Sequence, residues 1–166
     1  MEEKLLPAEE QGAGKNLPFR TKADLNSRSE AKTFAAFDLS KLKGKGTFGS
    51  EEKLKSQKLI DQLFKEGKSV SQSGFTLVYC ITQLTSFYPA QAGFVVPKRS
   101  FKHAVDRNRI KRLMREVYRK NKFTLYEKLI ERKQQLALMC VYKGKDMPDY
   151  EKAEKSVVAC LKKLAL

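Results

Sequence analysis

Apolar positions recur with a helical period early in the well-patterned part of the chain. Between residues 56 and 66 they lie at the i, i+1, i+4, i+5 spacing that places side chains on one face of a helix. These positions are Leu59, Ile60, Leu63 and Phe64. Gly67 follows, at the position where glycine commonly ends a helix. The pattern predicts a first helix over residues 56–66.

Three later apolar runs are too short for ordinary helices and predict strands. Residues 75–84 (FTLVYCITQL) and 91–96 (QAGFVV) are rich in β-branched and aromatic side chains. Residues 136–142 (LALMCVY) end at a charged KGKD turn, which favours a central strand. We expect the first two strands to form a hairpin through a loop at 86–90. Residues 68–72 could add a short further strand.

Two more helices complete the pattern. Residues 150–164 carry an apolar stripe formed by Ala153, Val157, Leu161 and Leu164. From residue 107 onward another stripe is formed by Ile110, Leu113, Met114 and Val117, and Asp106 is expected to cap that helix. The order helix, two or three strands, helix, strand, helix predicts an α+β sandwich in which helices pack on a sheet.

The composition of the chain changes near residue 47. Residues 1–47 mix glycine, proline and charges, show no sustained periodicity and are too polar to form a core of their own. We expect a flexible extension there, in which only residues 33–42 could form a short amphipathic turn. Residues 48–166 then form one domain of ordinary size.

The net charge is far more positive than solubility requires. The chain has 34 Lys and Arg against 19 Asp and Glu, a formal net charge of +15, and +13 of it falls on residues 48–166. Such a field attracts polyanions, so nucleic acid is the expected partner. The excess is concentrated between Lys98 and Lys122, where eleven Lys and Arg accompany only Asp106 and Glu116.

The helix in this segment presents its charge on the side opposite its apolar stripe. At about 100° per residue, one arc collects Arg107, Asn108, Lys111, Arg112, Arg115, Arg119 and Lys122. An ordinary solvated face would intersperse carboxylates that pair at i, i+4, and here they are nearly absent. Phosphates would supply the missing counter-charge, so we interpret the arc as a nucleic-acid surface.

The residues of this helix resemble one protein family. The run RNRIKRLMRE (107–116), preceded by GFVVPKR, resembles the RNR signature of the bacterial ribonuclease P protein family, and the likeness extends from about residue 48 to the C-terminus. The resemblance implies an α+β two-layer sandwich like ribosomal protein S5 domain 2. Its helices would pack on a mostly antiparallel four-stranded sheet, with a left-handed βαβ crossover that carries the RNR helix.

The resemblance also implies a function and a set of site residues. Members of the family help a catalytic RNA to remove the 5′ leader of precursor tRNA, with the chemistry on the RNA and Mg²⁺ bound mainly by the RNA and the substrate. The implied contacts to the catalytic RNA are Lys98, Arg99, Arg107, Asn108, Arg109, Lys111, Arg112 and Arg115. The implied cleft for the single-stranded leader consists of Lys53, Lys55, Ile60, Phe64 and Val78. Ile60 and Val78 stand where relatives carry aromatic rings, and without the resemblance Phe64 would be interpreted as a core residue.

The sequence shows no recognisable set of catalytic side chains. His103 is the only histidine, the three cysteines lie far apart in apolar runs, and neither a GxxxxGK[ST] loop nor an HExxH pair occurs. We expect reduced cysteines in a cytoplasmic protein with no protein-held metal, no membrane span and no obligate protein partner. The alternatives that remain open are an rRNA-binding ribosomal-type protein and, more distantly, a DNA-binding protein that reads the major groove.

Overall fold

The computed structural model describes residues 46–164, which form three helices and one four-stranded sheet. In chain order the elements are α1 (Gln57–Glu66), β1 (Lys68–Gln72), β2 (Phe75–Ile81), β3 (Ala90–Val95), α2 (Ala104–Glu131), β4 (Leu136–Tyr142) and α3 (Tyr150–Leu164). Apart from Gly46 and Thr47, the predicted extension and its turn at 33–42 lie outside the described residues.

The strands of the sheet are ordered β1-β2-β4-β3. β1 and β2 are antiparallel, β2 and β4 are antiparallel, and β3 and β4 are parallel. β3, α2 and β4 therefore form the expected βαβ crossover unit. The predicted fold class, α+β with helices on a mostly antiparallel four-stranded sheet, is confirmed, and the optional strand at 68–72 is present as β1.

The predicted hairpin between residues 75–84 and 91–96 is wrong. β2 forms its hairpin with β1 through Ser73 and Gly74, both at positive φ (46° and 84°), and β4 lies between β2 and β3. All seven residues of β4 are buried, as expected of a strand covered on both faces. The prediction paired neighbours in sequence, whereas the apolar run of β4 requires the central position.

Helices cover both faces of the sheet. α2 and α3 pack on one face, where Leu138 and Cys140 of β4 join the main core. α1 packs on the other face, where Ala137 and Met139 surround the fully buried Leu63. The alternation of side chains along β4 therefore divides the interior into two cores.

α2 begins earlier than its apolar stripe indicated. Its first residue is Ala104, preceded by His103 in extended conformation, and Asp106 lies inside the first turn. The prediction of Asp106 as the capping residue is therefore wrong, although a carboxylate in the first turn still interacts favourably with the helix dipole. α2 has 28 residues, which corresponds to a length of about 42 Å.

Gly67 ends α1 as predicted, but not in the left-handed conformation that favours glycine at helix ends. Its backbone is extended, with φ −71° and ψ 144°. A Cβ atom at this position would collide with the backbone carbonyl of Leu63. The close approach of Gly67 to the last turn of α1 therefore requires glycine.

Candidate nucleic-acid interface

Two predicted contact residues lie in the turn that leads into α2. Lys98 and Arg99 are exposed and follow Pro97, whose carbonyl accepts a hydrogen bond from the N–H of Ser100 at 3.1 Å. This hydrogen bond closes a turn directly after β3. Both cationic side chains therefore stand next to the start of α2.

Arg107 fastens that turn to the helix. Its Nη1 donates hydrogen bonds to the carbonyls of Phe101 at 2.8 Å and Lys102 at 2.6 Å. The ring of Phe101 in turn stacks on Tyr142, with ring centroids 6.1 Å apart. Arg107 is half-buried, and these hydrogen bonds hold the turn in place. Its contact with a phosphate stays a prediction.

The exposed side of the first half of α2 carries a series of polar and cationic side chains. Asn108, Arg109, Arg112 and Arg115 are exposed and Lys111 is half-buried. Within residues 46–164, none of the five side chains pairs with a carboxylate. We call the eight predicted contacts the basic face: Lys98, Arg99, Arg107, Asn108, Arg109, Lys111, Arg112 and Arg115.

The apolar side of the same helix is buried as predicted. Ile110, Met114 and Val117 have no exposed surface and belong to the main core, and Leu113 packs against it partly buried. This packing fixes the rotation of α2, so the basic face points away from the core. The geometry is that of a rigid cationic surface.

Glu116 forms an ion pair with Arg119 and does not neutralise the basic face. Its carboxylate accepts hydrogen bonds from Arg119, at 2.6 Å from Nη2 and 2.8 Å from Nε, and Lys120 lies 3.9 Å away. The hydrogen bond from Arg119 lowers the pKa of Glu116 below its ordinary value. Arg119, predicted on the polyanion-facing arc, is thus paired, and it also donates to the carbonyl of Gly46.

The assignment of Lys122 to the polyanion-facing arc is wrong. Its side chain is buried, forms an ion pair with Glu52 and donates to the carbonyl of Thr47 at 2.5 Å. Glu52 also accepts hydrogen bonds from the Tyr126 hydroxyl at 2.8 Å and the Gly49 N–H at 2.7 Å. The helical projection of α2 missed this because the covering segment, residues 46–52, lies some seventy residues earlier in the chain.

Two tyrosines surround this buried ion pair. Tyr118 packs edge-to-face against Phe48 and Phe94, with centroids 5.7 and 5.8 Å away. Burial raises the pKa of both Tyr118 and Tyr126 well above the ordinary value for tyrosine. The Tyr126 hydroxyl therefore keeps its proton at neutral pH and can donate it to Glu52.

The residues of the predicted leader cleft lie around α1. Ile60 and Val78 are half-buried and pack against the second core beside Leu63. Phe64 is 57% exposed, so its interpretation as a core residue is wrong. Its exposure leaves the ring accessible to a ligand, and its place in the leader cleft stays a prediction.

Lys53 and Lys55 flank this region on the segment before α1. Leu54 between them is buried, and its N–H donates to the carbonyl of Ala92 at 3.1 Å. The N–H of Ala92 donates in turn to the carbonyl of Glu52 at 2.8 Å. Residues 52–54 thus extend the sheet beyond β3 and hold both lysines exposed at its edge.

Other candidate chemistry is limited in the part of the chain that the structure describes. Residues 46–164 bring together no group of three or more His, Cys, Asp or Glu side chains suited to a metal ion. The three cysteines are free, with Cys140 and Cys160 buried and Cys80 half-buried. No helix within these residues is long and apolar enough to cross a membrane.

Comparison with known proteins identifies the family. The family model for Ribonuclease P matches residues 48–165. The ribonuclease P protein component of Porphyromonas gingivalis is 33% identical over 122 residues, covering 72% of this chain and 88% of the relative. The ribonuclease P protein component of Chlorobium phaeobacteroides is 36% identical over 110 residues, covering 60% of this chain and 75% of the relative.

Solved structures show the same fold. The RNase P protein of Staphylococcus aureus superposes with a TM-score of 0.55 at 20% identity, covering 68% of this chain and 94% of that one. The RNase P protein of Thermotoga maritima superposes with a TM-score of 0.55 at 22% identity, covering 67% of this chain and 96% of that one. With the family match over residues 48–165, these findings establish that the chain belongs to the ribonuclease P protein family.

Proposed function

We propose that this chain is the protein subunit of a ribonuclease P ribonucleoprotein that matures the 5′ end of tRNA in the cytoplasm. In this proposal the basic face binds the catalytic RNA, and the region around α1 binds the 5′ leader of precursor tRNA. The observation that carries the proposal is the basic face itself, which is fixed by core packing and has no carboxylate partner within residues 46–164.

The electrostatics of the basic face favour a polyanionic ligand. Residues 107–115 of α2 span about 12 Å along the helix axis, and like charges at i, i+4, such as Lys111 and Arg115, destabilise a helix by a few tenths of a kcal/mol. Phosphates would relieve this repulsion and release counterions. Arginine suits the role because its planar fork forms bidentate contacts to phosphate.

The surroundings of α1 supply a second contact of a different kind. Phe64 offers an exposed ring, on which stacking of a base is worth about 1–3 kcal/mol. Lys53 and Lys55 lie exposed on the segment before the same helix and could contact the leader phosphates. Ile60 and Val78 would contribute apolar contact without stacking. This combination suits a single strand better than a duplex.

The chemistry of cleavage is assigned to the RNA. Mg²⁺ would be held mainly by the catalytic RNA and the substrate, and the protein would bind and orient both. The cationic surface would replace part of the counterion atmosphere that Mg²⁺ otherwise provides. The contribution of the protein should therefore be largest at low Mg²⁺ concentration.

The test compares charge variants in a reconstituted holoenzyme. The triple variant Arg109→Gln, Arg112→Gln and Arg115→Gln removes three exposed cations that form no ion pair within residues 46–164. Affinity for the catalytic RNA should fall, and the slope of log affinity against log salt should decrease by about one unit or less per residue.

The matched control removes three exposed lysines that do not belong to the basic face: Lys145→Gln, Lys152→Gln and Lys155→Gln. It changes the net charge equally and should leave the affinity and its salt dependence close to those of the parent. Equal losses in both triple variants would show that only net charge matters, and would contradict a defined contact surface on α2.

A further inference from the structure

A cationic cavity lies at the end of α2 that is remote from the basic face. It has a volume of about 220 Å³ and is bounded by the last turn of α2, the paired strands β1 and β2, and the residues before β4. Three cations line it: Lys68 at the start of β1, Lys128 in the last turn of α2, and Arg132 directly after that helix.

We propose that this cavity binds a nucleotide, with the phosphate held by the three cations and the base or sugar against the apolar wall. The proposal does not rest on the role of the protein in ribonuclease P. It adds an anion site to a face of the molecule that the proposed RNA contacts do not use.

The cations of the cavity lack a counter-charge. Within residues 46–164, none of Lys68, Lys128 and Arg132 forms an ion pair with a carboxylate. Glu66 is the acidic residue in the lining, and its carboxylate accepts a hydrogen bond from Gln62 at 3.3 Å. The lining therefore carries a formal excess of two positive charges, which a phosphate would balance.

The backbone at the end of α2 opposes an anion less than an uncapped helix end would. Carbonyl groups at a helix C-terminus repel anions when they are left unpaired. Here the carbonyls of Lys128, Leu129 and Ile130 accept hydrogen bonds from the N–H groups of residues 132, 134 and 133, at 3.2, 2.9 and 3.0 Å. These hydrogen bonds partly compensate the negative partial charges of the three carbonyl oxygens.

The rest of the lining suits a ring. Tyr79 is half-buried on the cavity wall, and Leu129, Leu136 and Leu164 form a buried apolar floor. Gln134 adds a half-buried amide that can both donate and accept a hydrogen bond. An inorganic ion would use only the cations, whereas a nucleotide would use the cations, the amide and the floor.

Size and position define the ligand further. Pockets for drug-sized ligands span roughly 300–1,000 Å³, so a cavity of about 220 Å³ encloses only part of one nucleotide, the phosphate with the adjoining sugar or base, and leaves the remainder outside. Lys128 follows Arg115 by thirteen residues, which is about 20 Å along α2. That separation exceeds the Debye length of about 8 Å, so binding at the two places can be measured independently.

A single tryptophan can report on the cavity because the protein contains none. Ile81 lines the cavity and is 56% exposed, so Ile81→Trp places a fluorophore there without disturbing the core. Phe87→Trp is the matched control, because Phe87 is 64% exposed and lies outside the lining. The ligands are adenosine 5′-monophosphate (AMP), adenosine, inorganic phosphate and a short 5′-phosphorylated oligoadenylate.

AMP should change the fluorescence of Ile81→Trp saturably and leave Phe87→Trp unchanged. Adenosine and phosphate should each bind more weakly than AMP. Adding Lys68→Gln, Lys128→Gln and Arg132→Gln should weaken AMP binding about tenfold or more, as expected for lost charge-assisted hydrogen bonds. In the control, the substitutions added are instead Lys145→Gln, Lys152→Gln and Lys155→Gln. The affinity for AMP should then stay within about twofold of that of Ile81→Trp alone.

The outcomes separate the sources of the ligand. Tighter binding of the oligoadenylate than of AMP supports a nucleotide within an RNA strand, and equal or weaker binding supports a free nucleotide. Phosphate as tight as AMP would contradict the nucleotide assignment. Absence of a saturable signal, or equal loss in the two charge variants, would overturn the site. A charge variant of the basic face should keep the fluorescence change with AMP, because the two places are separate. Failure to bind AMP would therefore leave the ribonuclease P proposal untouched.

Discussion

Replacing Lys122 with methionine removes a buried ammonium group and keeps a side chain of similar length. Lys122 and Glu52 are 2% and 1% exposed, so the substitution leaves a carboxylate inside the protein without its cation. Among the described residues, the hydroxyl of Tyr126 and the N–H of Gly49 would remain as its donors. Neither carries a positive charge.

The expected loss of stability is large. Breaking a buried ion pair by removing one partner costs about 3–5 kcal/mol, because the remaining charge is desolvated and unpaired. Domains of this size are stable by about 5–15 kcal/mol, so the variant should lose a substantial fraction of the total. Lys122→Met combined with Glu52→Gln should lose less than the sum of the two single variants, since the double variant buries no charge.

Urea unfolding followed by circular dichroism measures the effect, with Lys155→Met as the control. Lys155 is exposed on α3, and its substitution should change the free energy of unfolding by less than about 0.5 kcal/mol. A loss below about 1 kcal/mol for Lys122→Met, or an additive double variant, would refute the assignment of Lys122 as a buried partner and restore it to the nucleic-acid surface.

Three further predictions concern the pH dependence of stability, the burial of two side chains of α1, and the glycine that ends this helix. Burial raises the pKa of Tyr118 and Tyr126 in the folded state. Their contribution to stability is therefore complete below about pH 10, the ordinary tyrosine value, and is lost at higher pH. Thermal melts from pH 8 to 11 should show a fall in the melting temperature, and Tyr118→Phe should make this fall smaller. Leu63→Ala should cost about 2–5 kcal/mol in urea unfolding and Phe64→Ala less than about 1 kcal/mol, because only Leu63 is fully buried; equal losses would place Phe64 in the core. Gly67→Ala should lower the stability by about 1–3 kcal/mol in the same assay, because the new methyl group meets the carbonyl of Leu63.

Local patterns predicted the elements that depend on nearby residues. The spacing of apolar positions gave α1 to within one residue, and the short apolar run of β4 was correctly assigned to a central strand. The buried side of α2 also followed from the helical period, since Ile110, Met114 and Val117 all lie in the core. In each case one segment carries enough apolar residues to decide its own conformation.

Features that depend on distant segments were missed. The hairpin partner of β2 could not be deduced from β2 and β3 alone, because the position between them belongs to β4, more than forty residues later. The burial of Lys122 depends in the same way on residues 46–52. The sequence carries no local signal for this pair, because Glu52 stands between Glu51 and Lys53 like an ordinary exposed acidic residue.

The basic face was predicted as a set, and its internal organisation was not. A helical projection treats every arginine of α2 alike, yet Arg107 holds the preceding turn, and Arg119, which lies outside the basic face, binds Glu116. Hydrogen bonds of this kind depend on how the chain enters the helix and which neighbour reaches a side chain first. The structure thus separates cations that support the surface from those that remain available to a ligand.

Cleavage of precursor tRNA by the ribonuclease P RNA, with and without this chain at low Mg²⁺ concentration, tests the central claim most directly. The chain should restore release of the 5′ leader that the RNA alone performs poorly, and its effect should shrink as Mg²⁺ is raised. The chain alone should leave the precursor intact. No stimulation at low Mg²⁺, or cleavage by the chain without RNA, would contradict its role as the RNA-binding subunit.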